Sequence, residues 1–136
     1  VRAARHAERI ELLGGVYGEA KQRLLGESAI GVVPSRAENL PGTLLEFQAH
    51  GLACIASDVG GIPELASEGA AALVPAGDPE SLARKLAELM DDADLCSAMG
   101  RAAQTFAATL GWDAIGKEFE RAYYAILDRA GRAARS

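Results

Sequence analysis

A chain of 136 residues, 49 % of them hydrophobic, can build one packed domain or part of one, and a net charge of −5 argues against holding a nucleic acid by its phosphates. No run approaches the roughly 18 apolar residues of a membrane span. The opening VRAARHAERIELLGG has neither an initiator Met nor a signal-peptide core, so a fragment is expected.

Taken in order, residues 9–13 (RIELL) read as a short strand ending at Gly14-Gly15. A helical pattern follows over Glu19–Leu25, with Gly26 as its stop. Ala29–Val33 is a second strand, apolar throughout, as expected of one covered on both faces. Pro34 ends it, a polar loop follows, and a helix runs over Gly42–His50 with Gly51 as its C-terminal glycine. Leu52–Ser57 is a third strand, Asp58–Pro63 a loop, Glu64–Ser67 a short helix and Ala71–Val74 a fourth strand. Asp78-Pro79-Glu80-Ser81 is the clearest helix start: Asp78 accepts from free backbone N–H groups, and Pro79 fits the first helical position. Leu82, Leu86 and Leu89 mark the buried face of that helix. A second helix is expected over 93–109 through Leu95, Met99, Ala103 and Phe106. A third is capped by Asp113, with Ile115, Phe119, Ala122, Tyr123 and Ile126 on one stripe and a frayed GRAARS end. Strands alternating with helices across short connections imply an α/β fold, a doubly wound parallel sheet with a C-terminal helical tail. The core is expected over 9–92 and the tail over 93–130.

The chemistry gathers at the carboxyl ends of the strands, where open parallel sheets bind ligands. At the helix start Gly42-Thr43-Leu44, free N–H groups and the helix dipole favour an anion, and Thr43 adds a hydroxyl; an ordinary strand-to-helix turn reads the same way. Glu38 and Glu46, with seven residues between them, can line one pocket there. Glu46 can take a diol such as ribose, or simply favour the helix N-terminus. The glycine pair in Asp58–Glu64 implies unusual backbone angles, close ligand approach, or a plain loop. GGVYG does not match GxGxxG, and neither a P-loop nor GxSxG is present. His6 and His50 lack ligand partners at metal spacing, Cys54 and Cys96 stand in unrelated contexts without it, and a reduced cytoplasmic setting fits. Trp112, Tyr123 and Tyr124 suit packing more than stacking.

Residues 34–90 resemble the C-terminal half of retaining glycosyltransferases of the GT-B fold, the family-4 type (glycosyl transferases group 1). The resemblance rests on Pro34, Ser35, Glu38 and Glu46, then Ala49 and Gly51, then Ser57, Gly60, Gly61 and Glu64, then Leu73, Val74, Pro75, Asp78 and Pro79. Met99, Gly100, Ala103 and Trp112 continue it into the tail. Phe47-Gln48 stands where the family has Ala-Met, and Leu52-Ala53-Cys54 where it has x-Pro-Val.

The resemblance implies a Rossmann-like, N-terminally truncated, partial nucleotide-sugar-binding domain. Glu46 would hold the ribose hydroxyls, the Gly42 and Thr43 amides the diphosphate, and Val16 would lie against the nucleobase. Glu38 would sit beside the donor sugar as the catalytic residue. It further implies metal-independent transfer with retention and no cofactor beyond the nucleotide-diphosphate sugar. The basic pair that clamps the diphosphate and the acceptor domain would lie upstream of Val1, leaving this chain inactive alone. At family level the full-length protein would work in the cytoplasm, at the inner membrane face. Two other readings stand beside it: a nucleotide-sugar epimerase of the same fold, and a non-catalytic nucleotide-binding or assembly module that self-associates through an exposed sheet edge.

Overall fold

The computed structural model describes residues 7–133. His6 and the last three residues lie outside them. Three parallel strands, β1 (Ile30–Val33), β2 (Ala53–Ser57) and β3 (Ala72–Val74), form one sheet in the order β1-β2-β3. Ile30 pairs with Ala53 at one seam, and Ile55 with Ala72 at the other. Among the described residues there are five α-helices: α1 (Gly18–Glu27), α2 (Gly42–Ala49), α3 (Pro79–Asp91), α4 (Ala93–Thr109) and α5 (Trp112–Ala133).

Strand β2 is buried along its whole length, and its alternating side chains feed two cores. Cys54 and Ala56 point to one face, where they meet Leu25, Leu44, Ile62 and Leu65. Ala53 and Ile55 point to the other, where they meet Leu89 with Leu82, Leu86, Leu95 and Met99 around them. Covered faces on both sides make the sheet doubly wound and explain why its strands read as unbroken apolar runs. Helix α4 packs on both α2 and β2, with its Gly100 laid directly against the Gly51 carbonyl, where a side chain would not fit.

Helix α2 ends as its sequence suggests. Gly51 takes φ +74°; its N–H donates to the Gln48 carbonyl at 2.9 Å, and the Leu52 N–H donates to the Phe47 carbonyl at 3.1 Å, closing the last turn. The departure Phe47 is matched by Gly31 in β1: the ring occupies the space a β-carbon there would need. The departure Gln48 is fully buried and ties α2 to the turns that precede β3, its amide nitrogen donating to the carbonyls of Leu65 at 2.7 Å and Ala70 at 3.3 Å.

Six expectations are corrected. The expected first strand over 9–13 does not form: Arg9 closes a 3₁₀ turn (Ala7–Arg9) and residues 10–13 have no regular structure, because no strand among the described residues lies beside them and a strand exists only through a partner's hydrogen bonds. Gly26 does not stop α1; the helix runs to Glu27 and closes at Ser28, whose N–H donates to the Leu25 carbonyl and whose hydroxyl donates to the Leu24 carbonyl. The short helix expected over Glu64–Ser67 is two 3₁₀ turns, Ile62–Leu65 and Ser67–Gly69. Asp113 is not the cap of α5 but lies inside its first turn; the Gly111 carbonyl accepts the first helical bonds, from the Ala114 and Ile115 N–H groups. The helix also continues through Ala133, into the expected frayed end. Nor do Trp112, Tyr123 and Tyr124 pack: they are 89 %, 65 % and 61 % exposed, because α5 leaves the sheet layer rather than covering it.

Candidate functional site

The N-terminus of α2 stands at the carboxyl end of β1. Pro41 precedes it in an extended conformation, and its carbonyl accepts the Leu44 N–H at 3.0 Å and the Leu45 N–H at 3.4 Å. No side chain caps the helix. The Gly42 and Thr43 N–H groups therefore sit in the first turn without an intrahelical acceptor, on residues exposed to solvent. Helix geometry thus leaves two aligned donors at the positive end of a dipole, an arrangement suited to an anion.

Beside them lies a cavity of about 450 Å³ between α1, α2 and the glycine-rich turn at 14–16. Val16, Thr43 and Glu46 all line it, although they come from separate stretches of chain. Gly14 takes the left-handed φ of +66°, which a glycine adopts without strain, and Val16 and Tyr17 just after it form one wall. Glu46 stands one turn into α2 with its carboxylate half exposed. Its Oε1 accepts from the Lys21 ammonium of α1 at 2.8 Å.

A second tie joins the same two helices. The His50 Nδ1–H donates to the Glu46 carbonyl at 2.8 Å, and Nε2 meets the Gln22 side-chain amide at 2.7 Å. Sequence reasoning missed Lys21 and Tyr17. The signal for Lys21 was a lone cation on a helix whose position opposite Glu46 only the packing reveals.

Glu38 does not line this cavity. It lies on the loop before α2, its Oε1 accepting the Asn39 N–H at 3.0 Å. That loop is braced by the Asp58–Glu64 loop. The Gly61 N–H donates to the Asn39 carbonyl at 3.0 Å, and β-carbons at Gly60 or Gly61 would overlap the carbonyl oxygens of Glu38 and Asn39. Gly60 also takes φ +56°. Both unusual backbone angles and close approach are thus present, and the group approached is the neighbouring loop. A second cavity of about 290 Å³ lies over the sheet edge, lined by Arg36, Ser57, Pro75 and Asp78 among others.

Among the described residues, no group of three or more His, Cys, Asp or Glu side chains is placed to hold a metal. Burial pushes the Cys54 thiol up to about 12, so it remains protonated and packs as a small apolar group. No helix of the described residues is long and apolar enough to cross a membrane.

The sequence profile of the group 1 glycosyl transferases matches residues 1–92. The chain belongs to this family. It is 36 % identical over 106 residues to the D-inositol 3-phosphate glycosyltransferase of Streptomyces avermitilis, a match covering 77 % of this chain and 23 % of that protein. The chain therefore spans about a quarter of the length of the curated relatives it matches. The sucrose-phosphate synthase of Thermosynechococcus elongatus superposes with a TM-score of 0.65 at 27 % identity, over 74 % of this chain and 26 % of the synthase. Anabaena HepE, crystallised with UDP, superposes with a TM-score of 0.67 at 19 % identity, over 79 % of this chain and 30 % of HepE. The chain is thus a doubly wound parallel sheet of the GT-B kind with a helical C-terminal end.

Proposed function

We propose that this chain is the donor-binding part of a glycosyltransferase that moves a sugar from a nucleotide-diphosphate donor to an acceptor, with retention at the anomeric carbon and without a metal. The observation that carries the reading is the convergence of Val16, Thr43 and Glu46 on one cavity at the uncapped start of α2. Each part has a chemical task. The Gly42 and Thr43 amides and the helix dipole take the diphosphate, whose charge grows as the glycosidic bond to it breaks. Donors fixed in advance at that position lower the barrier without having to reorganise.

The Glu46 carboxylate accepts from the ribose hydroxyls. Val16 gives the base an apolar wall, and Glu38, on the braced loop beside the helix start, stands at the sugar. The UDP in Anabaena HepE supports a nucleotide as the ligand, and the name of the Streptomyces relative makes a polyol phosphate the first acceptor to try.

The test is a calorimetric titration of UDP and GDP into the protein at its full natural length, with Glu46→Ala alongside. Loss of the carboxylate should cost about 1.5–3 kcal/mol, or roughly ten- to a hundredfold in Kd, for the nucleotide that binds. Binding of neither nucleotide, or binding that ignores the substitution, overturns the reading.

A further inference from the structure

Lys21 has no part in the donor site as described, yet it touches the side chain on which that site depends. We propose that Lys21 is a positioning residue for Glu46: its ammonium holds one carboxylate oxygen so that the other is presented to a ribose hydroxyl. The inference rests on the donor-site reading above.

Three observations carry it. Lys21 lines the same cavity as Val16, Thr43 and Glu46, so the pair sits in the wall of the site rather than on a remote face. The ammonium reaches Glu46 Oε1 at 2.8 Å, while among the described residues Oε2 has no hydrogen-bond partner. A carboxylate offers about four lone-pair sites, so one ammonium orients it without saturating it.

The third observation is how Lys21 is held. Gln22, its neighbour on α1, meets His50, which caps α2 four residues beyond Glu46. Lys21 with Glu46 and Gln22 with His50 form two successive rungs between the helices. The second rung fixes the backbone from which the Lys21 side chain reaches, so the contact does not depend on the ion pair alone. This matters because a solvent-exposed ion pair is worth only about 0–1 kcal/mol by itself. It is too weak to lock the carboxylate against a ligand but sufficient to select its orientation.

The nucleobase is not fixed by these contacts, so the probes are UDP and GDP, each compared with its 2′,3′-dideoxy counterpart, which lacks the diol. Dissociation constants would be measured for the full-length protein and for Lys21→Met, Lys21→Arg, Glu46→Gln and the Lys21→Met/Glu46→Gln pair. The wild type should prefer the ribonucleotide over the dideoxy compound by roughly tenfold. Lys21→Met should shrink that ratio several-fold while leaving the dideoxy affinity unchanged, and Lys21→Arg should restore it. The double substitution should be no worse than Glu46→Gln, since the lysine acts through the glutamate.

Four outcomes overturn the proposal. In them Lys21→Met leaves the ratio intact; weakens ribo and dideoxy ligands equally, which would make Lys21 a direct diphosphate contact; adds its full effect to that of Glu46→Gln; or tightens ribonucleotide binding, which would make it a competitor for the carboxylate. The two readings fail separately. A preference that survives Glu46→Gln, or no binding at all, removes the donor site and this inference with it. A preference lost in Glu46→Gln but kept in Lys21→Met removes this inference alone.

Discussion

Gly60 shows how a residue chosen for backbone reasons builds a site it does not enter. Its φ of +56° excludes most side chains, and a β-carbon there would meet the Glu38 carbonyl oxygen. In the sequence the pair Gly60-Gly61 allows unusual backbone angles, close ligand approach or a plain loop. What it makes room for is the loop that carries Glu38 and Asn39, held by the hydrogen bond from the Gly61 N–H to the Asn39 carbonyl. Gly60→Ala would suffer twice, from the left-handed backbone and from the overlap. We expect a loss of more than about 2 kcal/mol in urea unfolding, since the left-handed conformation alone costs an L-residue about 1–2 kcal/mol. An unchanged urea midpoint would mean that the two loops separate at little cost, and that Glu38 is not held by this contact. Gly31 and Phe47 follow the same logic in the core, where the missing β-carbon on one residue is the space filled by the other.

At the scale of elements, what was legible depended on whether an element's signals were local. Helix α3 was readable because its start is written in four adjacent residues. Asp78 Oδ1 accepts the Glu80 and Ser81 N–H groups at 3.1 and 3.0 Å, and Oδ2 accepts the Ser81 hydroxyl at 2.6 Å. Helix α2 was readable through Gly51, and β2 through its unbroken apolar run. Residues 9–13 carry a strand pattern but form no strand, because strand pattern is local but strand existence is not. Likewise Glu46 could be picked from spacing and resemblance, whereas Lys21 becomes its partner only when α1 packs beside α2.

The α3 cap makes a prediction with a definite sign. The Ser81 hydroxyl, and after it the Ser81 N–H, holds the Asp78 carboxyl below its ordinary 3.8. A carboxylate whose folded value is lowered adds stability that is present above its unfolded value and is lost as pH falls through the folded one. Urea midpoints followed downward from about pH 5 should therefore fall more steeply for the wild type than for Asp78→Ala, which should start lower near neutrality. Asp78→Asn, which keeps an acceptor without the charge, should retain much of the neutral-pH midpoint and lose the extra slope. Parallel pH profiles for all three proteins would count against the cap as the source.

At the scale of the molecule, the chain divides into a sheet layer that buries its apolar residues and a last helix that does not. Phe106 and Leu110, at the end of α4, are the last side chains seated on the core. Beyond Gly111 nothing from Trp112 to Leu127 is fully buried, and Phe119, Tyr123 and Ile126 are 75 %, 65 % and 64 % exposed on one stripe of α5. The periodicity that identified α5 as a helix is therefore not matched by burial against this sheet. A helix of 22 residues can hold its own hydrogen bonds, but most helical stability comes from packing, and α5 has little of it here.

The sheet layer should accordingly owe α5 almost nothing. A chain ending at Gly111 is expected to unfold in urea within about 0.5 kcal/mol of the full chain, the range of substitutions remote from any core. Its helical circular dichroism should fall by the share that α5 contributes. Amide exchange gives an independent reading: α5 amides should exchange well before those of β2, whose side chains are all buried. If truncation lowers the midpoint by several kcal/mol, or if α5 and β2 exchange together, the helix belongs to the cooperative unit and its exposed stripe contributes to the fold.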